Sequence, residues 1–159
     1  MTKTIRNKKT KQSITKRSAN SRITSSGRSS LVSFQKEITV VFLEMLLMIK
    51  LYHWKTYSYA THKATDDLYS KLNESVDSFI EVLLGKTEIR TNLINQKNIR
   101  LIDLSSPEEL KREVEGFKGY LISLDDNKAL RTMSNADLYT IRDEILGHMN
   151  QFLYLLTFK

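Results

Sequence analysis

The sequence predicts an all-α fold, a bundle of four helices behind a basic N-terminal tail, and three observations carry that expectation. One Pro and five Gly in 159 residues are too few for the many chain reversals an all-β protein requires. Apolar residues recur at steps of three and four through four separate segments, the period of an amphipathic helix. The length is that of one domain and suffices to bury a core unaided. Cysteine is absent, which removes disulfides, thiolate metal sites and thiol nucleophiles, so any metal must bind oxygen and imidazole nitrogen.

Charge divides the chain into a tail, residues 1–30, and a body, residues 31–159. The tail holds Lys3, Arg6, Lys8, Lys9, Lys11, Lys16, Arg17, Arg22 and Arg28 and no acidic residue. Taking these nine cations from the net charge of +7 leaves −2 for the body. A segment so rich in Lys, Arg, Ser and Thr buries too little apolar surface to offset its ordering entropy, and the expectation is disorder in the free chain. Its function is then contact with a polyanion, nucleic acid first, through counterion release. If roughly six cations engage duplex phosphates, affinity falls on the order of a thousandfold between about 50 and 200 mM salt. A nuclear address, a transit peptide and an inert solubilising tail are the competing readings.

The first helix is expected over residues 33–54, where Phe34, Ile38, Val41, Met45, Met48 and Tyr52 form one stripe. Between Ile38 and Leu51 most other positions are apolar too, as in a membrane span or a helix buried on several sides. Glu44 and Lys50 decide against the membrane, because the uninterrupted runs fall far short of the roughly 20 residues a span needs. A helix covered by its siblings and by a partner chain is the expectation.

The second helix is expected from Thr61, as N-cap, to Leu84, with Gly85 ending it. At 100° per residue His62, Asp66, Asp77 and Glu81 stand at about 0, 40, 60 and 100°, on one stripe. Axially they form two pairs: His62 with Asp66 and Asp77 with Glu81 are each roughly 6 Å apart, with some 16 Å between the pairs. No single ion bridges that gap within one chain. Two copies of the helix packed antiparallel about a two-fold axis near Lys71 and Leu72 bring the first pair of one copy against the second pair of the other, twice per dimer. His53, near the end of the first helix, adds a third position on the imidazole side. Two histidines and three carboxylates suit iron, manganese or zinc. The bland alternative is a solvated helix face with charges spaced i,i+4.

These residues carry a resemblance. Lys50-Leu51-Tyr52-His53-Trp54, then His62 with Asp66 four later, then Asp77 and Glu81 at the same spacing, resemble the Dps-type mini-ferritins, the DNA-protecting proteins of starved cells. The segment from Met45 to Lys86 also looks like uncharacterised Dps-like proteins of large DNA viruses and phages. The resemblance implies a ferritin-like four-helix bundle in which His53, His62 and Asp66 come from one subunit and Asp77 and Glu81 from its two-fold mate. It implies a homo-oligomer, a two-fold dimer or a twelve-subunit cage, that oxidises Fe(II) at those shared sites. The chain is about three residues shorter than the family between His53 and His62. Trp54 is either a neighbour of the metal site or core packing.

Downstream, a polar connector over residues 86–104, with room for a short helix, precedes Ser106-Pro107-Glu108-Glu109, which reads as a helix start with N-cap hydroxyl, Pro at the first position and acids in the first turn. Leu110, Val114, Phe117, Leu121 and Leu124 continue that helix. After a turn at Asp125-Asp126-Asn127, Ser134 or Asn135 caps a last helix through Leu138, Ile141, Ile145, Met149, Phe152 and Leu156. Glu144 and His148 are spaced i,i+4, but the Glu-x-x-His of intra-subunit ferritin-like sites is absent, so His148 reads as structural or surface. Phosphate loops, nucleophile elbows and His-Glu-x-x-His motifs are absent as well. The expected function is a Dps-like ferroxidase with a nucleic-acid-binding tail, without membrane association, either cytoplasmic and nucleoid-associated or located in a virion or host nucleus. A structural nucleic-acid-binding or virion protein that keeps the bundle without redox chemistry is the competing expectation.

Overall fold

The computed structural model describes residues 24–158. It is all-helical, with no strand among the described residues, and contains four α-helices: α1 (Ser25–Lys55), α2 (Tyr59–Thr87), α3 (Pro107–Ser123) and α4 (Ala136–Leu155). Two short 3₁₀ turns, Leu124–Asp126 and Leu130–Thr132, lie between α3 and α4. None of the described helices is long and apolar enough to cross a membrane.

α1 begins at Ser25, inside the segment the sequence assigns to the tail, because Thr24 caps it: the Thr24 hydroxyl accepts from the Gly27 amide at 3.2 Å. Leu31, fully buried, fastens that first stretch to the bundle, and Arg28 stands exposed on it. The predicted disorder therefore does not extend over residues 25–30, while Lys3, Arg6, Lys8, Lys9, Lys11, Lys16, Arg17 and Arg22 lie outside the described residues.

α2 also outruns its expected limits at both ends. Ser58 rather than Thr61 is the N-cap, its hydroxyl accepting from the Thr61 amide at 3.3 Å. Gly85 does not end the helix. A glycine costs about 1 kcal/mol within a helix, and burial of Leu83 and Thr87, the latter hydrogen-bonded back to the Leu83 carbonyl at 2.9 Å, outweighs it. Termination falls to Glu88, which takes the left-handed conformation at φ 54°.

The expected short helix in the connector is not formed. Residues 88–106 cross the molecule as irregular chain, held locally by side chains that compete with helical bonds: Asn92 accepts from the Ile94 amide and Gln96 donates to the Asn98 carbonyl. The crossover follows α1 along its length. The Ile89 carbonyl accepts from Gln35 at 2.8 Å, the Arg100 amide donates to Glu44 at 3.0 Å, and Asp103 pairs with Lys55 at 2.6 Å.

This path fixes the topology, because it delivers α3 to the end of α1 from which α2 departs. α3 then runs antiparallel to α1, and Tyr120 near its end donates to Glu37 near the start of α1 at 3.1 Å. Burial, and then the Glu37 carboxylate, hold the Tyr120 hydroxyl proton well above the ordinary phenol range. α4 is antiparallel to α2, joined by Lys86 to Asp137 at 2.8 Å and Lys71 to Gln151 at 3.2 Å. The hydrogen bond from Lys86 holds the Asp137 carboxyl below its usual value. Neighbouring helices are thus antiparallel throughout, with one long crossover between α2 and α3.

The core joins all four helices through Ile38, Phe42, Leu72, Phe79, Leu110 and Ile145 among others. Phe42 and Phe79 meet edge to face with centroids 5.3 Å apart, which locks α1 on α2. The α3 start is as the sequence predicts, Ser106 accepting from the Glu109 amide at 3.2 Å with Pro107 at the first position. At the α4 start Asn135 is the cap residue, but its amide donates to the Leu130 carbonyl at 3.1 Å instead of capping the helix. Arg142, nearly buried in α4, pairs with Asp125 and with Asp143 and ties the 3₁₀ turn to the bundle.

Candidate metal centre

Three residues, Thr56, Tyr57 and Ser58, reverse the chain between α1 and α2. So short a turn leaves His53, in the last turn of α1, directly against His62, in the first turn of α2. The rings stack with centroids 3.9 Å apart and planes 25° apart.

The pair is held by reciprocal bonds. His53 Nδ1 lies 3.1 Å from the His62 carbonyl oxygen and His62 Nδ1 lies 3.0 Å from the His53 carbonyl oxygen. A carbonyl only accepts, so each Nδ1 carries the proton and donates it. A neutral ring in this tautomer leaves Nε2 with a free lone pair, the state in which imidazole binds metals. The bond from His62 also serves α1, whose last carbonyls lack partners within the helix.

Asp66 faces this pair from the next turn of α2. Its Oδ1 stands 3.8 Å from His53 Nε2, beyond hydrogen-bonding range. Two metal-ligand bonds of about 2.1 Å can span that gap. The donor set, imidazole nitrogens and a carboxylate, fits a first-row divalent ion.

Asp77 and Glu81 are exposed on the same helix toward its far end, lining a cleft of about 590 Å³ with Ile80, Leu84, Glu88 and Arg90. The structure brings His53, His62 and Asp66 together and keeps Asp77 and Glu81 apart from them. Among the described residues no group of three or more His, Asp or Glu side chains within one chain is placed to hold a metal. His148 is half-buried on α4, remote in sequence and topology from the pair.

The α1 helix also carries large apolar side chains that its own bundle leaves partly uncovered. Leu43 and Leu47 of α1 are 37% and 38% exposed, and Trp54 is 70% exposed. Lys50 extends over Trp54 and, at 4.6 Å, over the Tyr69 ring of α2. Trp54 is thus no core residue of this chain.

Two features of the centre escape sequence reading. Thr65, fully buried, places its hydroxyl 3.3 Å from His53 Nδ1, and a Thr inside a helix gives no sign of that. Glu88, beside Asp77 and Glu81 in the cleft, occupies a left-handed cap position where Gly is the usual signal.

No curated protein and no solved structure matches the chain. Residues 53–156 match a family of unknown function, DUF5856, and this match begins at His53 and takes in the whole candidate centre. It spans well over half of the sequence, and the chain belongs to that family.

Proposed function

We propose that the chain is a ferritin-like, Dps-like protein that binds iron at sites shared between two-fold-related copies and oxidises Fe(II), with nucleic acid held by the basic N-terminal segment. The observation that carries the reading is the histidine pair, whose Nδ1 atoms both lie against backbone carbonyls while His53 Nε2 stands 3.8 Å from Asp66. Support comes also from the topology, since one long crossover in an otherwise antiparallel four-helix bundle is the ferritin-like connection. The partly exposed Leu43 and Leu47 lie on an outer face that antiparallel association covers.

Each half-site is incomplete in one chain, and an isologous dimer supplies what is missing. His53, His62 and Asp66 of one copy provide two nitrogens and an oxygen; Asp77 and Glu81 of the other provide the carboxylates that neutralise the added charge. Iron is the substrate. Two Fe(II) give one electron each to hydrogen peroxide, its O–O bond breaks, and with two protons the products are two Fe(III) and two waters. Manganese and zinc share this ligand chemistry, and iron is chosen for its redox step.

Ferrous oxidation with peroxide, followed by absorbance, tests the reading in wild type and in Asp77→Ala/Glu81→Ala. The variant should lose most of the wild-type rate over the uncatalysed background. Equal rates in the two proteins leave the bundle as a non-catalytic nucleic-acid-binding or virion protein. For the tail, deletion of residues 1–23 should abolish a duplex-DNA gel shift at low salt while the oligomer mass, corrected for the deletion, stays in the same state. A retained shift would place the nucleic-acid surface on the bundle.

A further inference from the structure

We infer that Thr65 is a positioning residue that holds His53 in its Nδ1–H tautomer, and so keeps the His53 Nε2 lone pair presented to a metal ion; its metal-binding consequence rests on the reading above. The Thr65 hydroxyl lies 2.8 Å from the Thr61 carbonyl and 3.0 Å from the His62 carbonyl, and it has one proton for the two. Once donated to a carbonyl, that proton is unavailable to His53, and the hydroxyl lone pairs face His53 Nδ1 at 3.3 Å. The imidazole N–H thus meets two acceptors, the Thr65 oxygen and the His62 carbonyl.

The opposite tautomer is opposed from both sides. With the proton on Nε2, the Nδ1 lone pair would face the His62 carbonyl oxygen at 3.1 Å. Thr65 could then satisfy Nδ1 only by turning its proton away from both carbonyls. The site is buried, the Thr65 side chain being fully enclosed, so water does not replace the lost bonds and each unmet group is costly. A β-branched Thr within a helix ordinarily bonds its own i−4 carbonyl and does nothing else. Here that habit orients the hydroxyl as an acceptor toward a ligand of the adjacent helix, in the manner of the outer-shell partners that set histidine tautomers in metal sites.

The test uses the full chain, metal-free, with ¹⁵N-labelled histidine, and reads the tautomers from two-bond ¹⁵N–¹H correlations. Wild type should show His53 and His62 in the Nδ1–H form; Thr65→Val, which leaves the His62 carbonyl as the one remaining acceptor, should raise the His53 Nε2–H population above that of wild type, and Thr65→Ser, which keeps the hydroxyl, should restore the wild-type pattern. Co(II) titration of the same proteins should be about tenfold weaker for Thr65→Val and close to wild type for Thr65→Ser. An unchanged His53 tautomer in Thr65→Val overturns the inference. If that variant does not fold, the wild-type spectrum still decides, since His53 chiefly in the Nε2–H form overturns it as well. The expected tautomer change in Thr65→Val, in a protein whose wild type takes up no Co(II), supports the lock and overturns the metal reading, so the two failures are distinct.

Discussion

Phe79→Ala should lower the unfolding free energy by about 3–5 kcal/mol, the range for emptying a fully buried aromatic site. Phe79 has no exposed surface and stands edge to face against Phe42, across the α1–α2 contact. The loss has two parts: the transfer of the ring from water, and a cavity that the surrounding packed helices close only in part. Small domains have about 5–15 kcal/mol in total, so the variant should unfold at much lower urea, which chemical denaturation followed by circular dichroism measures. Phe79→Leu, which refills most of the volume, should cost considerably less. A loss below about 1 kcal/mol for Phe79→Ala would mean that α1 and α2 are not joined through this ring.

The second large effect is on metal binding. His53→Ala/His62→Ala should weaken Co(II) or Fe(II) binding by at least about a hundredfold, because even outer-shell changes at such sites reach that size. The variant also strips two donors from the His53 and His62 carbonyls, so some loss of stability accompanies it, on the order of 1 kcal/mol per bond. Anaerobic calorimetric titration reads the affinity, and a melting curve reads the fold. Wild-type affinity in the folded double variant would remove the imidazoles from the site.

The sequence expresses this fold unevenly, and the reason lies in how local each signal is. Ser106-Pro107-Glu108-Glu109 is readable because cap, proline and acids all act within one turn. Gly85 misleads because its local preference is outweighed by the burial of Leu83 and Thr87, which depends on what packs against α2. Thr24 as a cap is hidden among the Ser and Thr residues of a segment whose composition reads as disordered. The connector looks long enough for a helix, but the same residues must reach from Gln35 to Lys55 along α1, and extended chain covers that span where a helix of equal length does not.

The candidate centre divides in the same way. The stripe of His62, Asp66, Asp77 and Glu81 follows from a helical repeat and needs no tertiary knowledge. The stacking of His53 on His62 depends on a three-residue turn, and the fixed tautomers depend on carbonyls whose positions exist only once that turn is made. Thr65 is invisible for the same reason. The histidines of one chain reach Asp66 and no further, so the weight of the functional reading falls on association with a second copy.

Mixing two inactive variants tests that claim most directly. One carries His53→Ala/His62→Ala and the other Asp77→Ala/Glu81→Ala; each is dissociated, combined in equal amounts and reassembled, and Fe(II) oxidation with peroxide is measured. In a mixed dimer one site has lost every altered ligand and the other has kept all of them. With random pairing, about a quarter of the wild-type rate should return from two silent parents. A mixture as inactive as its parents, with mixed dimers demonstrated by mass spectrometry, would contradict a site shared between subunits.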